Sequence, residues 1–256
     1  MNLFWAHLLP ERRGIPVLMY HKVEECSSDS LTVSVAAFKS QLAWLKDKGY
    51  STISAQTFVE FLNGRKKRAE LPRQPVLITF DDGYDSTLIH AAPAMNALGF
   101  QAILFATSSY IETGKSDRTH YMSVEELKIW QEQGHEIALH SHAHPNYRQI
   151  ANTEIMEDLR ENQAWFKAKG IQILPVLAYP YGARPQERAR NADLKASLKK
   201  SGLVAAFRIG NRIPTWASFE KNSLDAYEVP RIDIRGDDTL ASFAIKLKKG
   251  RLRPFQ

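Results

Sequence analysis

The sequence has a single cysteine, Cys26, in 256 residues, so no disulfide can form within the chain. A lone cysteine can serve as a nucleophile. This one sits in Glu24-Glu25-Cys26-Ser27-Ser28, where neighbouring carboxylates would disfavour the thiolate, and it reads as a loop residue. No apolar run approaches the ~18 residues of a membrane span. Internal repeats and low-complexity tracts are absent as well. The opening MNLFWAHLLPERRG has no basic stretch ahead of its short apolar run and no clear cleavage site. At face value no cleavable export signal is present, which points to the cytoplasm. Leu3, Phe4, Trp5, Leu8 and Leu9 offer a short amphipathic face for peripheral membrane contact, although packing against the domain is the preferred reading.

What is present is ordinary globular composition, 44% hydrophobic and 24% charged, at a length that suits one α/β barrel. The net charge is +6. Basic residues gather at Arg65-Lys66-Lys67-Arg68, at Lys199-Lys200, and at Lys246, Lys248, Lys249, Arg251 and Arg253. These clusters are scattered and form no patterned stripe, so a solvated surface is expected and a nucleic-acid partner is not.

Short apolar runs alternate with helical periods. Strands are predicted at 15–20, 76–80, 102–106, 136–139, 173–179, 203–207 and 227–234. Helical spacing recurs at Phe38, Leu42 and Leu45, from Thr87 to Leu98 despite Pro93, and after the Ser123/Glu126 capping box. It recurs again through Ile155, Leu159 and Phe166, from Asp193 to Lys200, and from Thr239 to Lys248. Repeated β-then-α units imply a parallel sheet covered by helices. About seven strands favour a distorted (β/α) barrel over an open sheet, with reactive groups at the C-terminal strand ends.

Three polar motifs sit at such ends. Thr79-Phe80-Asp81-Asp82-Gly83-Tyr84 follows an apolar strand. Two adjacent carboxylates repel each other unless something uses them. A metal plus a proton transfer would use both, one Asp as ligand and one as base, although a single Asp also caps helices well. His140-Ser141-His142-Ala143-His144 follows the strand EIAL and holds three of the eight histidines. His140 and His144, four apart, would share one face of a helical turn, while His142 would point elsewhere. Asp82, His140 and His144 together supply three ligands and leave a coordination position open, as in a catalytic metal site. A divalent ion there, Zn²⁺ by default and Co²⁺, Ni²⁺ or Fe²⁺ equally compatible, would acidify a water and polarise a carbonyl. Ala178-Tyr179-Pro180-Tyr181-Gly182 ends another strand. Its rings would suit a sugar, and its glycine would admit a backbone N–H close to a ligand.

In this order the three blocks resemble the polysaccharide deacetylase family (carbohydrate esterase family 4), over roughly residues 14–245 of a single domain spanning 1–256. The resemblance implies a distorted barrel and a carbohydrate substrate. It makes Asp81 the general base and Asp82, His140 and His144 the metal ligands. The Pro180-Tyr181 segment would face the substrate, with the Tyr181 N–H stabilising the oxyanion. The family's usual C-terminal strand with its general-acid histidine is missing here. Val17-Leu18-Met19-Tyr20-His21 opens the chain instead, as in a circularly permuted subgroup that includes poly-N-acetylglucosamine deacetylases. By that match His21 is the general acid. The family's arginine before the YPYG block is also absent, and Val176-Leu177-Ala178 stands there. Arg231 is the candidate to pair with Asp81, and Asp233 to tether His21. The implied activity is N-deacetylation of an N-acetylglucosamine-type carbohydrate. The alternatives are a deformylase or deacetylase of a lipid-linked sugar, a small-amide C–N hydrolase, or a non-catalytic carbohydrate-binding barrel.

Overall fold

The computed structural model describes residues 13–114 and 120–251. The amphipathic face at Leu3–Leu9 and the basic Arg253 fall outside them. Ten strands run β1 (Val17–Tyr20), β2 (Lys22–Glu24), β3 (Thr32–Ser34), β4 (Tyr50–Thr52), β5 (Gln74–Asp82), β6 (Ile103–Ala106), β7 (Glu136–Leu139), β8 (Leu174–Ala178), β9 (Ala205–Ile209) and β10 (Val229–Asp233). Seven of them form a closed parallel barrel in the order β1-β10-β9-β8-β7-β6-β5, with β1 pairing back onto β5. The first strand is therefore wedged between the last strand and the strand carrying the paired aspartates, as the permuted order requires. β4 adds alongside the N-terminal half of β5, and β2 and β3 form a separate two-stranded pair.

The two-residue period of the strands sorts the core into two shells. Val17, Leu77, Ile103, Phe105, Val176, Ala178, Ala205, Phe207 and Val229 pack together as the inner cluster. Leu18, Ile78, Phe80, Leu104, Ile137 and Ile232 pack outward with the helices, where Phe80 meets Phe38 and Trp130. Burying one such Phe stabilises the fold by about 1.5–3 kcal/mol. Phe58, on the helix Ala55–Leu62, reaches Phe207 at 5.7 Å between ring centroids, and Phe207 in turn meets Phe105 at 5.5 Å. The inner space is thus filled from the N-terminal end. Glu136 holds this plug by accepting from the Ala55 N–H at 2.6 Å. Followed two residues at a time toward the C-terminal ends, the inner parity reaches His21, Asp81, His140 and Arg231.

The helices largely follow the sequence reading. Ser123 and Glu126 form the expected box, with Ser123 N–H to Glu126 Oε2 at 2.7 Å and Glu126 N–H to Ser123 Oγ at 3.2 Å. The segment expected as one helix from Thr87 to Leu98 differs. It is a π-turn over Thr87–Ala91 followed by a short α-helix, Ala92–Asn96. Pro93 has no N–H to donate and its ring crowds the preceding turn, so the backbone widens ahead of it. Among the described residues no helix is long and apolar enough to cross a membrane.

One buried histidine lies outside the site. His135 stacks on Trp130 with 4.1 Å between ring centroids and accepts from the Ala102 N–H at 3.2 Å. Burial pushes its pKa down from 6.5 to about 4. The unfolded chain therefore takes up the proton first, and stability is lost as pH falls from 6.5 toward 4. Between pH 8 and pH 5 this one group should cost about 2 kcal/mol. Urea unfolding at both pH values should show that much of the pH dependence disappearing in His135→Asn, which keeps an acceptor near Nδ1. An unchanged difference would show that His135 is not the titrating group.

Candidate metal centre

Asp82 ends β5 with φ 74°, turning its carboxylate across the barrel mouth rather than continuing the strand. His140 and His144 follow β7 in a loop, not on a helical turn as their spacing suggested. Ser141 (φ 75°) and His144 (φ 54°) lie in the left-handed region, and that backbone path brings the two rings to the same side. Four of the six non-glycine residues with positive φ among the described residues are Asp82, Ser141, His144 and Tyr181, all at this mouth. Such strain persists only where the surroundings hold it, and it clusters at functional sites.

The holding group is Asp158, on the helix Asn152–Ala168. Its buried carboxylate accepts from His142 N–H at 3.2 Å, Ala143 N–H at 2.8 Å and the Tyr147 hydroxyl at 2.9 Å. The Ser141 hydroxyl accepts from His144 N–H at 2.8 Å. His142 turns away from the triad, as read from the sequence, and its Nδ1 lies 2.8 Å from Ser108 Oγ, which also accepts from Asn162.

Asp82, His140 and His144 converge with donor atoms all within 4.8 Å of one another. Asp82 Oδ1 lies 3.4 Å from His140 Nε2 and 3.3 Å from His144 Nε2, and the two nitrogens are 3.3 Å apart. Tetrahedral bonds of about 2.0–2.1 Å place neighbouring donors about 3.3–3.4 Å apart, so the three edges fit such an ion. The chemistry agrees. Asp82 Oδ1 is buried with no hydrogen bond, an arrangement that costs stability unless a cation or donor meets it. His140 Nδ1 lies 2.8 Å from the Ala178 carbonyl. A proton there, donated to that oxygen, leaves the Nε2 lone pair for a metal. Burial pushes the Asp82 carboxyl up, but the two imidazoles outweigh it and hold it far below the usual carboxylate range. Burial likewise disfavours a charged His140, but Asp81 and Asp82 prevail and raise its proton affinity. Protons and a metal therefore compete for the same nitrogen.

Asp81 stands beside the triad rather than in it, with Oδ2 3.8 Å from His140 Nε2. It is gripped by Arg231 through Nη1 to Oδ1 at 2.6 Å and Nη2 to Oδ2 at 2.7 Å. The guanidinium is fully buried, bonds Thr79 Oγ1 at 3.3 Å and lies 5.3 Å over the Phe105 ring. Burial raises the Asp81 pKa, but Arg231 and His140 outweigh it and leave the carboxyl below its usual range. His21 follows β1 and is near enough to help hold both aspartates ionised. Its Nδ1 is buried without a hydrogen bond, so the expected tether from Asp233 is not made. Asp233 lies at the rim, where its carboxylate has Arg235 at 3.7 Å and its N–H donates to Asn211.

Pro180 is buried and Tyr181 is 61% exposed, with φ 56°. A Cβ on Gly182 would lie 2.7 Å from the Ile209 backbone nitrogen, so the glycine allows close packing against β9. Tyr84 and Tyr121 stack at 5.0 Å between centroids, Tyr121 and Tyr110 at 4.7 Å, Tyr110 lies 5.5 Å from His144, and His144 lies 4.6 Å from Tyr181. This aromatic row runs along one side of the triad. Tyr84, His144 and Tyr181 belong to the motif blocks, whereas Tyr110 and Tyr121 had no signal in the sequence.

A closed parallel barrel thus gathers two histidines and two aspartates at its C-terminal mouth. Residues 68–206, more than half of the chain, match the polysaccharide deacetylase family model, and the chain belongs to that family. It is 27% identical over 179 residues to the putative polysaccharide deacetylase YxkH of Bacillus subtilis, covering 70% of this chain and 61% of that protein. It is 24% identical to the poly-β-1,6-N-acetyl-D-glucosamine N-deacetylase of Escherichia coli K12, over 89% of this chain and only 33% of that protein. It is 26% identical to the Staphylococcus aureus protein of the same name, over 80% of this chain and 69% of that protein. The chain thus spans less than two thirds of the first two. Among solved structures, IcaB from Ammonifex degensii shares the fold with a TM-score of 0.73 at 24% identity, covering 92% of this chain and 98% of that one. The deacetylase PplD of Streptococcus pyogenes does so with a TM-score of 0.73 at 19% identity, covering 89% and 95%.

Proposed function

We propose that this protein is a metal-dependent N-deacetylase of an N-acetylglucosamine polymer, with β-1,6-linked poly-N-acetylglucosamine as the substrate class. The observation that carries the reading is the second carboxylate. Asp81 is buried, held ionised by Arg231 and set beside the triad without belonging to it. A binding site for sugar or metal alone has no use for such a group. The names of the E. coli and S. aureus relatives support the polymer, and the tyrosine row supplies apolar faces of the kind that sugar rings pack on.

Asp82, His140 and His144 would hold one divalent ion, Zn²⁺ by the donor set, with Co²⁺, Ni²⁺ or Fe²⁺ compatible. That ion supplies Lewis acidity toward the acetyl carbonyl and toward a water. Asp81 takes the proton of the attacking water. The Tyr181 N–H donates to the oxygen on which negative charge develops, an interaction that acts most strongly in the transition state. His21 passes a proton to the departing nitrogen, and acetate leaves.

The test is acetate release from N-acetylglucosamine oligomers by metal-stripped protein, before and after adding back Zn²⁺, Co²⁺, Ni²⁺ or Fe²⁺. Release restored by metal is the expected outcome. Folded, metal-loaded protein that releases no acetate from these oligomers would overturn the substrate assignment.

A further inference from the structure

We propose a second binding site at the N-terminal end of the barrel, opposite the triad, in which Arg13, Arg68 and Arg73 take the phosphate of a sugar phosphate. A cavity of about 230 Å³ opens there, lined by these three arginines together with Gly14, Gln74 and Trp216. Gln74 begins β5, and Gly14 lies just ahead of β1, so the cavity is at the far end of the barrel from Asp82.

One of the arginines is held in place by an aromatic ring, and none is neutralised among the described residues. The Arg68 guanidinium lies 3.7 Å over the Trp216 ring, which fixes its plane and leaves its edge N–H groups free to bind. The Arg13 carbonyl accepts from the Trp216 N–H at 3.1 Å, so the same tryptophan anchors both residues. Gly14 permits this close seating, because a Cβ there would lie 1.9 Å from the Pro214 carbonyl oxygen. Among the described residues, no carboxylate lies within ion-pair distance of Arg13, Arg68 or Arg73, although other basic side chains of the protein are paired. Three like charges around one cavity repel each other and are relieved by an anion. The forked donors of arginine suit phosphate oxygens. At about 30 Å³ per water the cavity has room for about seven waters, more than a bare phosphate needs and suited to one attached to a sugar.

Titration calorimetry at low salt with inorganic phosphate, glucose 6-phosphate and phosphatidylglycerol vesicles tests the site and separates a soluble ester from a lipid headgroup. Glucose 6-phosphate is expected to bind more tightly than inorganic phosphate. Arg68→Gln combined with Arg73→Gln should weaken binding at least about tenfold. All three positions are exposed, so the double variant should stay folded and keep its activity. Lys199→Gln with Lys200→Gln removes the same charge elsewhere and should leave binding unchanged. Absence of binding by all three probes, or an equal loss in the lysine pair, would overturn the proposal. Binding to vesicles alone would overturn the sugar phosphate as ligand.

Discussion

Asp81→Asn is expected to retain the metal and to lose about 10²–10⁴-fold in turnover, the range contributed by a positioned proton acceptor. The geometry separates the two aspartates. Asp82 Oδ1 lies 3.3–3.4 Å from both imidazole nitrogens, whereas Asp81 gives both oxygens to Arg231. An amide at position 81 keeps the shape and one acceptor but cannot take a proton. Its NH₂ would also face an Arg231 donor, and losing that bond should lower stability by about 1–3 kcal/mol. Metal content by mass analysis and acetate release, measured on the same preparation, check the claim. Asp82→Asn supplies the contrast, since metal should fall there together with turnover. Loss of metal in Asp81→Asn would make Asp81 a ligand, and unchanged turnover would remove it from the proton transfer.

The strand positions and the three motif blocks could be read from the sequence because each is local, whereas the special place of the first strand came from the family resemblance. The run VLITF followed by two aspartates marked a strand end, but which carboxylate is base and which is ligand came from the resemblance; in the structure Asp81 continues the inward parity of Leu77. The loop holding the histidines could not be read in the same way. Its shape depends on Asp158, sixteen residues beyond His142, in a helix whose apolar stripe was visible and whose buried carboxylate was not. Spacing alone suggested a helical turn for His140 and His144, whereas the structure uses two left-handed residues and an outside anchor. The tyrosine row was hidden for a related reason. Tyr84, Tyr110 and Tyr121 come from three separate segments; a backbone bridge joins Tyr84 to Tyr121, and Tyr110 is brought in by the helix Ser108–Thr113. Arg231 was reached through the family resemblance, since the arginine that the family carries before the YPYG block is replaced here by Val176-Leu177-Ala178. Asp233 shared that strand's parity but lies at the rim, where Arg235 is the nearer partner.

Arg231→Met is expected to be the most destabilising single change at the site. The guanidinium is 0% exposed and its partner carboxylate 3%. Removing one member of a buried pair leaves the other charge uncompensated, at a cost of about 3–5 kcal/mol. The same loss acts on the chemistry. With Arg231 gone, the strongest interaction opposing burial at Asp81 is lost and its carboxyl moves up, with His140 and His21 still opposing the shift. Activity requires the ionised form, so the acid limb of the kcat/KM profile should shift to higher pH in Arg231→Met, while Arg231→Lys should shift it less. A second substitution separates electrostatics from packing. In Arg231→Met combined with Asp81→Leu both charges are gone and the volume is filled, so urea unfolding should show much of the lost stability regained although the enzyme is inactive. If the double variant is as unstable as the sum of the singles, the cost belongs to the packing of Phe105 and Thr79 around the guanidinium. If the acid limb does not move in the single variant, Arg231 does not set the charge state of Asp81.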